Sequence, residues 1–357
     1  MTRHLLALAG LWALAATAVA QQNVPRTTEM LSALRPFAIQ LDNFREQPPL
    51  PVNCPFSHFQ VIDLRPDTSR IGVHGNLPMR SHAFDRQLKF RHSAAEEISG
   101  FLNRHFGRPA GSDTAVIILR YLWLSDTDPS TAGQDGAVMD GQNAPAATHI
   151  RLRAEIYLRR GGRYLPLLRF DTLQQTRFVA YSILRSTYLG WERDLAALFR
   201  ELAQKASVAV TRRATAARWI GWEDIRRFNE ARFDIPIFDG GRLKRGVYAG
   251  FEEFRNNAPS IRDFEVLPEN GGLALYLRNN DGSSYYTHTV WGICDGKQVF
   301  IMRDGLLHLL RKDGHSFFFY GIDVPAAELQ SLPLSVFNGS PEQHCLYVVD
   351  MDTGQFN

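Results

Sequence analysis

The chain has 357 residues, 45% of them hydrophobic and 22% charged, with a formal net charge of +3. That is ordinary globular composition, and the length suits about two domains, each able to bury its own core. A charge so near neutral argues against a nucleic-acid partner or a membrane partner held by charge alone.

Arg3 and His4 precede an apolar run over residues 5–19. The run is shorter than a membrane span requires. Ala18-Val19-Ala20 has the small-x-small spacing of a cleavage site, with Gln21-Gln22 beginning the mature chain. The pattern predicts a secretory signal over residues 1–20, and hence a periplasmic or secreted protein with no transmembrane segment after signal removal. No cysteine stands at the cleavage point, which argues against a lipid anchor. The three cysteines, Cys54, Cys294 and Cys345, are too few for a disulfide scaffold. In an exported protein one pair is expected to bridge, Cys294 with Cys345, the alternative being three reduced, buried thiols.

Residues 21–55 read as a loose arm whose one helical piece is 30–34. A first region follows over 56–213. Residues 59–64 read as a strand, and the loop behind it is rich in His, Gly and Pro. Ser93-Ala94-Ala95-Glu96 is a capping box, in which the Ser and Glu side chains satisfy free backbone N–H groups reciprocally. Ala94, Ile98, Phe101, Leu102 and His105 then recur at helical spacing. Residues 114–124 are apolar on both faces, as a covered central strand requires. Residues 125–148 lack periodicity and read as a long loop. In the next strand Ile150, Leu152, Ala154, Ile156 and Leu158 alternate with Arg151, Arg153, Glu155, Tyr157 and Arg159. Strict alternation predicts one buried face and one wet face. Gly161-Gly162 turns the chain into a return strand. Trp191, Leu195, Leu198, Phe199, Leu202 and Ala206 make the apolar stripe of a closing helix.

Residues 214–237 read as a helical connector and 238–357 as a second region, mostly strand. Asp295-Gly296, Asp304-Gly305 and Asp313-Gly314 are spaced nine residues apart. Asp-Gly suits tight hairpins because both central residues need positive φ, so the region reads as an antiparallel meander with one helical piece at 250–256. The predicted class is α+β: an N-terminal mixed sheet with two helices on one face, then a smaller, mostly antiparallel β-meander domain.

Two resemblances emerge from these residues. Val61-Ile62-Asp63-Leu64-Arg65-Pro66-Asp67, with Ile71-Gly72 behind it, resembles the opening strand of YajG-like envelope lipoproteins and related transport-auxiliary domains of Gram-negative bacteria. The strand–strand–strand–helix order that follows is compatible, although that family carries a lipid-anchored Cys which this chain lacks. Gly246-Val247-Tyr248, Phe251-Glu252-Glu253-Phe254, Asn256-Asn257, Pro259-Ser260 and residues 291–297 (WGICDGK) are similar to an uncharacterised secreted domain of Gram-negative bacteria. That resemblance covers about the last third of the chain. It implies compartment and lineage, and no activity.

For chemistry, His58, His74, His82, His92 and His105 have no i, i+3 or i, i+4 spacing among them, so solvated histidines are expected and no metal site. Asp126, Asp128 and Ser130 begin like a calcium loop, but Thr131 and Ala137 stand where that loop needs Gly and Glu. Asp63, Arg65 and Asp67 share one face at a strand end, either as a polar-ligand site or as a salt-bridge set. Arg151 and Arg153, with Arg159, could meet an anionic partner such as a lipid headgroup. Trp291, Tyr285, Tyr286 and the Phe317-to-Tyr320 run are either an interaction surface or a core, and Asp295 is first a turn residue. No nucleophile elbow, zinc-protease motif, phosphate loop or dinucleotide fingerprint is present. The export signal, what the two resemblances imply and the lack of a catalytic constellation together predict a non-enzymatic envelope adaptor or ligand-binding protein without a cofactor. Its binding candidates are Asp63, Arg65, Asp67, Arg151, Arg153, Trp291 and Asp295, and its partner an envelope protein, lipid or glycan. Two alternatives are an envelope-polymer hydrolase with an unrecognised site and a structural subunit of a secreted complex.

Overall fold

The structure is a computed structural model. It describes residues 30–41, 54–74, 86–108, 113–126, 146–178, 183–213, 218–230, 232–239, 242–269, 272–279, 281–303, 305–322 and 344–356. Residues 1–20, read as a signal in the sequence, and His82, Asp128 and Ser130 lie outside them. The fold is α+β, as the sequence predicts.

The first region is built on a seven-stranded mixed sheet. Its strands are β1 (Arg35–Ile39), β2 (Phe56–Asp63), β3 (Gly72–His74), β4 (Arg86–Phe90), β5 (Asp113–Ser125), β6 (Ala146–Arg160) and β7 (Arg163–Phe178). The order is β1-β4-β3-β5-β6-β7, and β2 also pairs with β5. Helices α1 (Ala94–Phe106) and α2 (Ile183–Arg213) share one apolar core with the sheet's inner face, through Ile98, Phe101, Leu195, Phe199 and Ile156 among others. The capping box forms: Ser93 and Glu96 bond each other's backbone N–H. Gly161 and Gly162 both adopt positive φ, 54° and 76°, which the β6–β7 hairpin needs.

Three of these strands escaped the sequence reading. The segment read as a loose arm contributes β1, and it buries Leu31, Leu34, Ile39 and Leu41. The His/Gly/Pro-rich loop contributes β3 and β4. All three are five residues or shorter, too brief to establish a period.

Helix α3 (Trp222–Glu230) follows. The second region opens with β8 (Gly246–Tyr248) and α4 (Phe251–Arg255). Then come β9 (Phe264–Glu269), β10 (Gly272–Arg278) and β11 (Ser284–Thr287), an antiparallel three-stranded sheet. The predicted meander is β12 (Gly292–Cys294), β13 (Val299–Arg303), β14 (Leu306–Asp313) and β15 (Ser316–Ile322), and β16 (His344–Val349) pairs with β15. Gly296, Gly305 and Gly314, the glycines of the three Asp-Gly pairs, all have positive φ. Side chains alternate along the last two strands. Phe317, Phe319, Tyr347 and Val349 fill the region's own core, while Phe318, Leu346 and Val348 face the first region.

The sheet's outer face departs from expectation. The outer face of β6 is not wet: Arg153, Glu155 and Tyr157 are all buried. Ile225 of α3 covers Val116, Ile118, Tyr157 and Tyr164. Phe318, Leu346 and Val348 cover Val73 and Trp123, together with Leu31 and Leu34. Alternation within one strand reports chemistry, not what a segment two hundred residues away will pack against it.

Cys294 also departs from expectation, for it is a free, buried thiol. Cys294 lies on β12 and Cys345 on β16, with β13, β14 and β15 between them in the sheet. Neighbouring strands lie about 4.8 Å apart, and a disulfide needs Cα atoms within about 7 Å. The expected Cys294–Cys345 bridge therefore does not form. Burial raises the Cys294 thiol pKa, and the sulfur accepts the Gly296 N–H at 3.2 Å.

Candidate functional site

The seam between the two regions collects most of the residues that the sequence nominates. Its geometry begins with an interrupted sheet edge. β2 runs parallel to the first half of β5, and β3 meets β5 near its far end, Gly72 opposite Leu124. Between them residues 64–71 leave the sheet and return. The excursion closes on itself: Arg65 forks onto Asp63 at 2.9 and 2.8 Å, and its third nitrogen donates to the Arg70 carbonyl at 2.8 Å. The Arg65 guanidinium is thus a structural brace, each of its nitrogens donating once to Asp63 or to the Arg70 carbonyl.

Asp67 and Arg70 point across the seam. Asp67 accepts from Ser316 Oγ at 3.0 Å and pairs with Arg70 at 3.1 Å, and Arg70 reaches Asp313 at 3.4 Å. Burial alone would raise the Asp67 pKa, but Ser69, the Arg70 charge and Ser316 outweigh it and hold the carboxyl below its ordinary value of 3.8.

A second ionic group lies on the outer face of the sheet. Arg153 forks onto Asp350 at 2.6 and 3.2 Å and approaches Asp352 at 3.5 Å, while Arg232 also binds Asp352. Asp350 in turn holds the C-terminal turn, accepting from Thr353 Oγ1 and from the Asp352 N–H. Beside it Glu155 gathers Arg120 at 2.5 Å, the Tyr157 hydroxyl at 2.9 Å and Arg169 at 3.5 Å. Burial, and then the Asp350 charge, hold Tyr121 protonated, with its pKa well above 10.0. Arg151 pairs with Asp171 at 2.9 Å. The nominated cations Arg151 and Arg153 are therefore neutralised within the chain.

A groove of about 250 Å³ opens beside these pairs, lined by Arg65, Pro66, Phe233, Ile235, Phe238 and His315. A smaller recess of about 50 Å³ shares Arg65, Pro66 and His315 with it and continues past Tyr121, Trp123, Ser316 and Asp350. Phe238 forms one wall. Its ring stacks on Phe317 at 5.2 Å and meets His315 edge-on at 5.3 Å, and Lys312 Nζ lies 5.3 Å from its centroid. The buried Trp123 indole N–H, at the recess, has no hydrogen-bond partner among the described residues. The sequence offered no signal for Phe233, Phe238 or His315, because they become one wall only when the connector folds against β15.

Two nominated residues sit elsewhere. Trp291 stacks on Phe254 at 4.2 Å and belongs to the second region's core. Asp295 is exposed and caps its own hairpin, accepting the Lys297 and Gln298 N–H groups at 2.7 Å.

One further polar group was missed. His74, expected among solvated histidines, is buried, and its Nδ1 lies 2.8 Å from the buried Asp126 carboxylate. Trp191 of α2 meets the imidazole edge-on at 5.6 Å. Among the described residues no cluster of three or more His, Cys, Asp or Glu side chains is arranged to hold a metal ion, and no helix is long and apolar enough to cross a membrane. Compared with models of known protein families and with curated proteins, the sequence matches none.

Proposed function

We propose that this is an exported, non-enzymatic binding or adaptor protein whose recognition site is the seam groove. The observation that carries this reading is the groove's composition and size. Phe233, Ile235 and Phe238 give an apolar wall, with His315 and the nearby Lys312 ammonium at its margin. At about 250 Å³ it falls below the usual range for whole small-molecule ligands, about 300–1,000 Å³. That favours a short apolar group, such as one or two side chains presented by an envelope protein, over a complete lipid or a long glycan. The charged residues around it keep the wall in place through mutual pairing, so the specificity is shape and apolar contact rather than charge.

The test is site-specific photocrosslinking in the native envelope, with a photoreactive residue at His315 and a control at the exposed Asp281. One dominant protein adduct at His315, lost on Phe238→Asp, is expected. Equal labelling from both positions removes the support for the groove.

A further inference from the structure

β7 is an edge strand of sixteen residues. One side pairs with β6 along its length. On the other side, among the described residues, the only bridge is Tyr164 with Ile220. A bulge opposite Ile156 and Tyr157 ends the irregular part at Leu167, so residues 168–172 present a regular edge. Unpaired strand edges are templates for a further strand.

The side chains on this edge are matched to their own reverse. Arg169 and Asp171 lie on one face, with side chains 73% and 55% exposed. In an antiparallel pair centred on Phe170, Arg169 of each copy stands opposite Asp171 of the other, and Leu168 opposite Thr172. The five paired residues match the usual length of a strand. Exposed apolar side chains flank the edge on both faces. Leu173 and Phe228 lie on the outer side, with Phe228 beneath the Arg169 guanidinium. Val208 lies on the helix side, one turn beyond Lys205, whose ammonium sits over Phe170.

We propose that a second copy of this chain docks here, joining two seven-stranded sheets edge to edge across a two-fold axis at Phe170. Such an interface uses the same patch twice and closes on itself, so it ends at a dimer.

Sedimentation velocity of the mature chain, with a thermal melt of each variant, tests this. The expected result is a concentration-dependent dimer. Arg169→Asp and Asp171→Arg each weaken it about tenfold by setting like charges opposite one another twice. The double exchange R169D/D171R restores it. That restoration cannot arise within one chain, because the exchange sets a carboxylate beside Glu155 and a guanidinium beside Arg151. A monomer at every concentration overturns the proposal, as does a dimer indifferent to all of these changes.

Discussion

Replacing Arg153 with Ala tests how the seam is held. The Arg153 side chain is 11% exposed and that of Asp350 2%, so the pair is screened little by solvent. Removing one partner of a buried pair costs about 3–5 kcal/mol, because the other charge stays buried without compensation. Asp350 keeps its bonds from Thr353 and the Asp352 N–H, which places the expected loss at the lower end, about 3 kcal/mol. That is a large share of the 5–15 kcal/mol typical of a folded domain. The assay is urea unfolding followed by intrinsic tryptophan fluorescence, with Trp123 and Trp191 in the first region and Trp291 in the second. In the wild type the transitions coincide; in Arg153→Ala the second region unfolds earlier. The charge-free pair R153M/D350N should recover more than half of the loss. A change below about 0.5 kcal/mol in Arg153→Ala, the level of an ordinary surface substitution, would refute the claim that this pair locks the regions.

Other predictions follow from single positions. A Cβ on Gly72 would lie 2.1 Å from the Leu124 carbonyl oxygen, so Gly72→Ala should destabilise by about 3 kcal/mol or prevent folding, read by the same unfolding curves. Phe318→Ala removes a fully buried ring from the cluster between the regions and should cost about 3–5 kcal/mol. Asp67 has a lowered folded pKa. Its contribution is complete above the ordinary carboxylate value and disappears as pH falls through the lower folded one, so Asp67→Asn should flatten the acid limb of the stability curve below about pH 4. Cys294 should resist alkylation in the folded protein and become alkylated on denaturation without reductant, because it is buried and unbridged; protection that needs reductant to remove would contradict that.

The parts of the fold legible in the sequence are those where local chemistry and final environment agree. Ser93 and Glu96 cap a helix wherever it packs. Each of the three Asp-Gly pairs favours a hairpin through the positive φ of its glycine, and the meander has its strand ends nearly where those pairs put them. Arg153 shows the opposite case. Its alternation partners are polar, yet what covers it is Asp350, about two hundred residues on, and only the tertiary fold joins them. The same holds for Asp63, Arg65 and Asp67. Their shared position was readable, but their division into an internal brace and a contact across the seam depends on the chain leaving the sheet at residue 64 and returning at 71. His74 carried no spacing signal because its partner Asp126 lies just past the end of a different strand. Phe238 and His315 form the groove wall through a connector and a hairpin tip, which no periodicity links.

The most direct test of the central claim is native mass spectrometry of the untagged protein purified from its own host, beside the Phe238→Asp variant. A bound protein partner in the wild type that is absent from the variant is the predicted result. A wild-type chain carrying no partner, or one retained equally by Phe238→Asp, would contradict recognition through the seam groove.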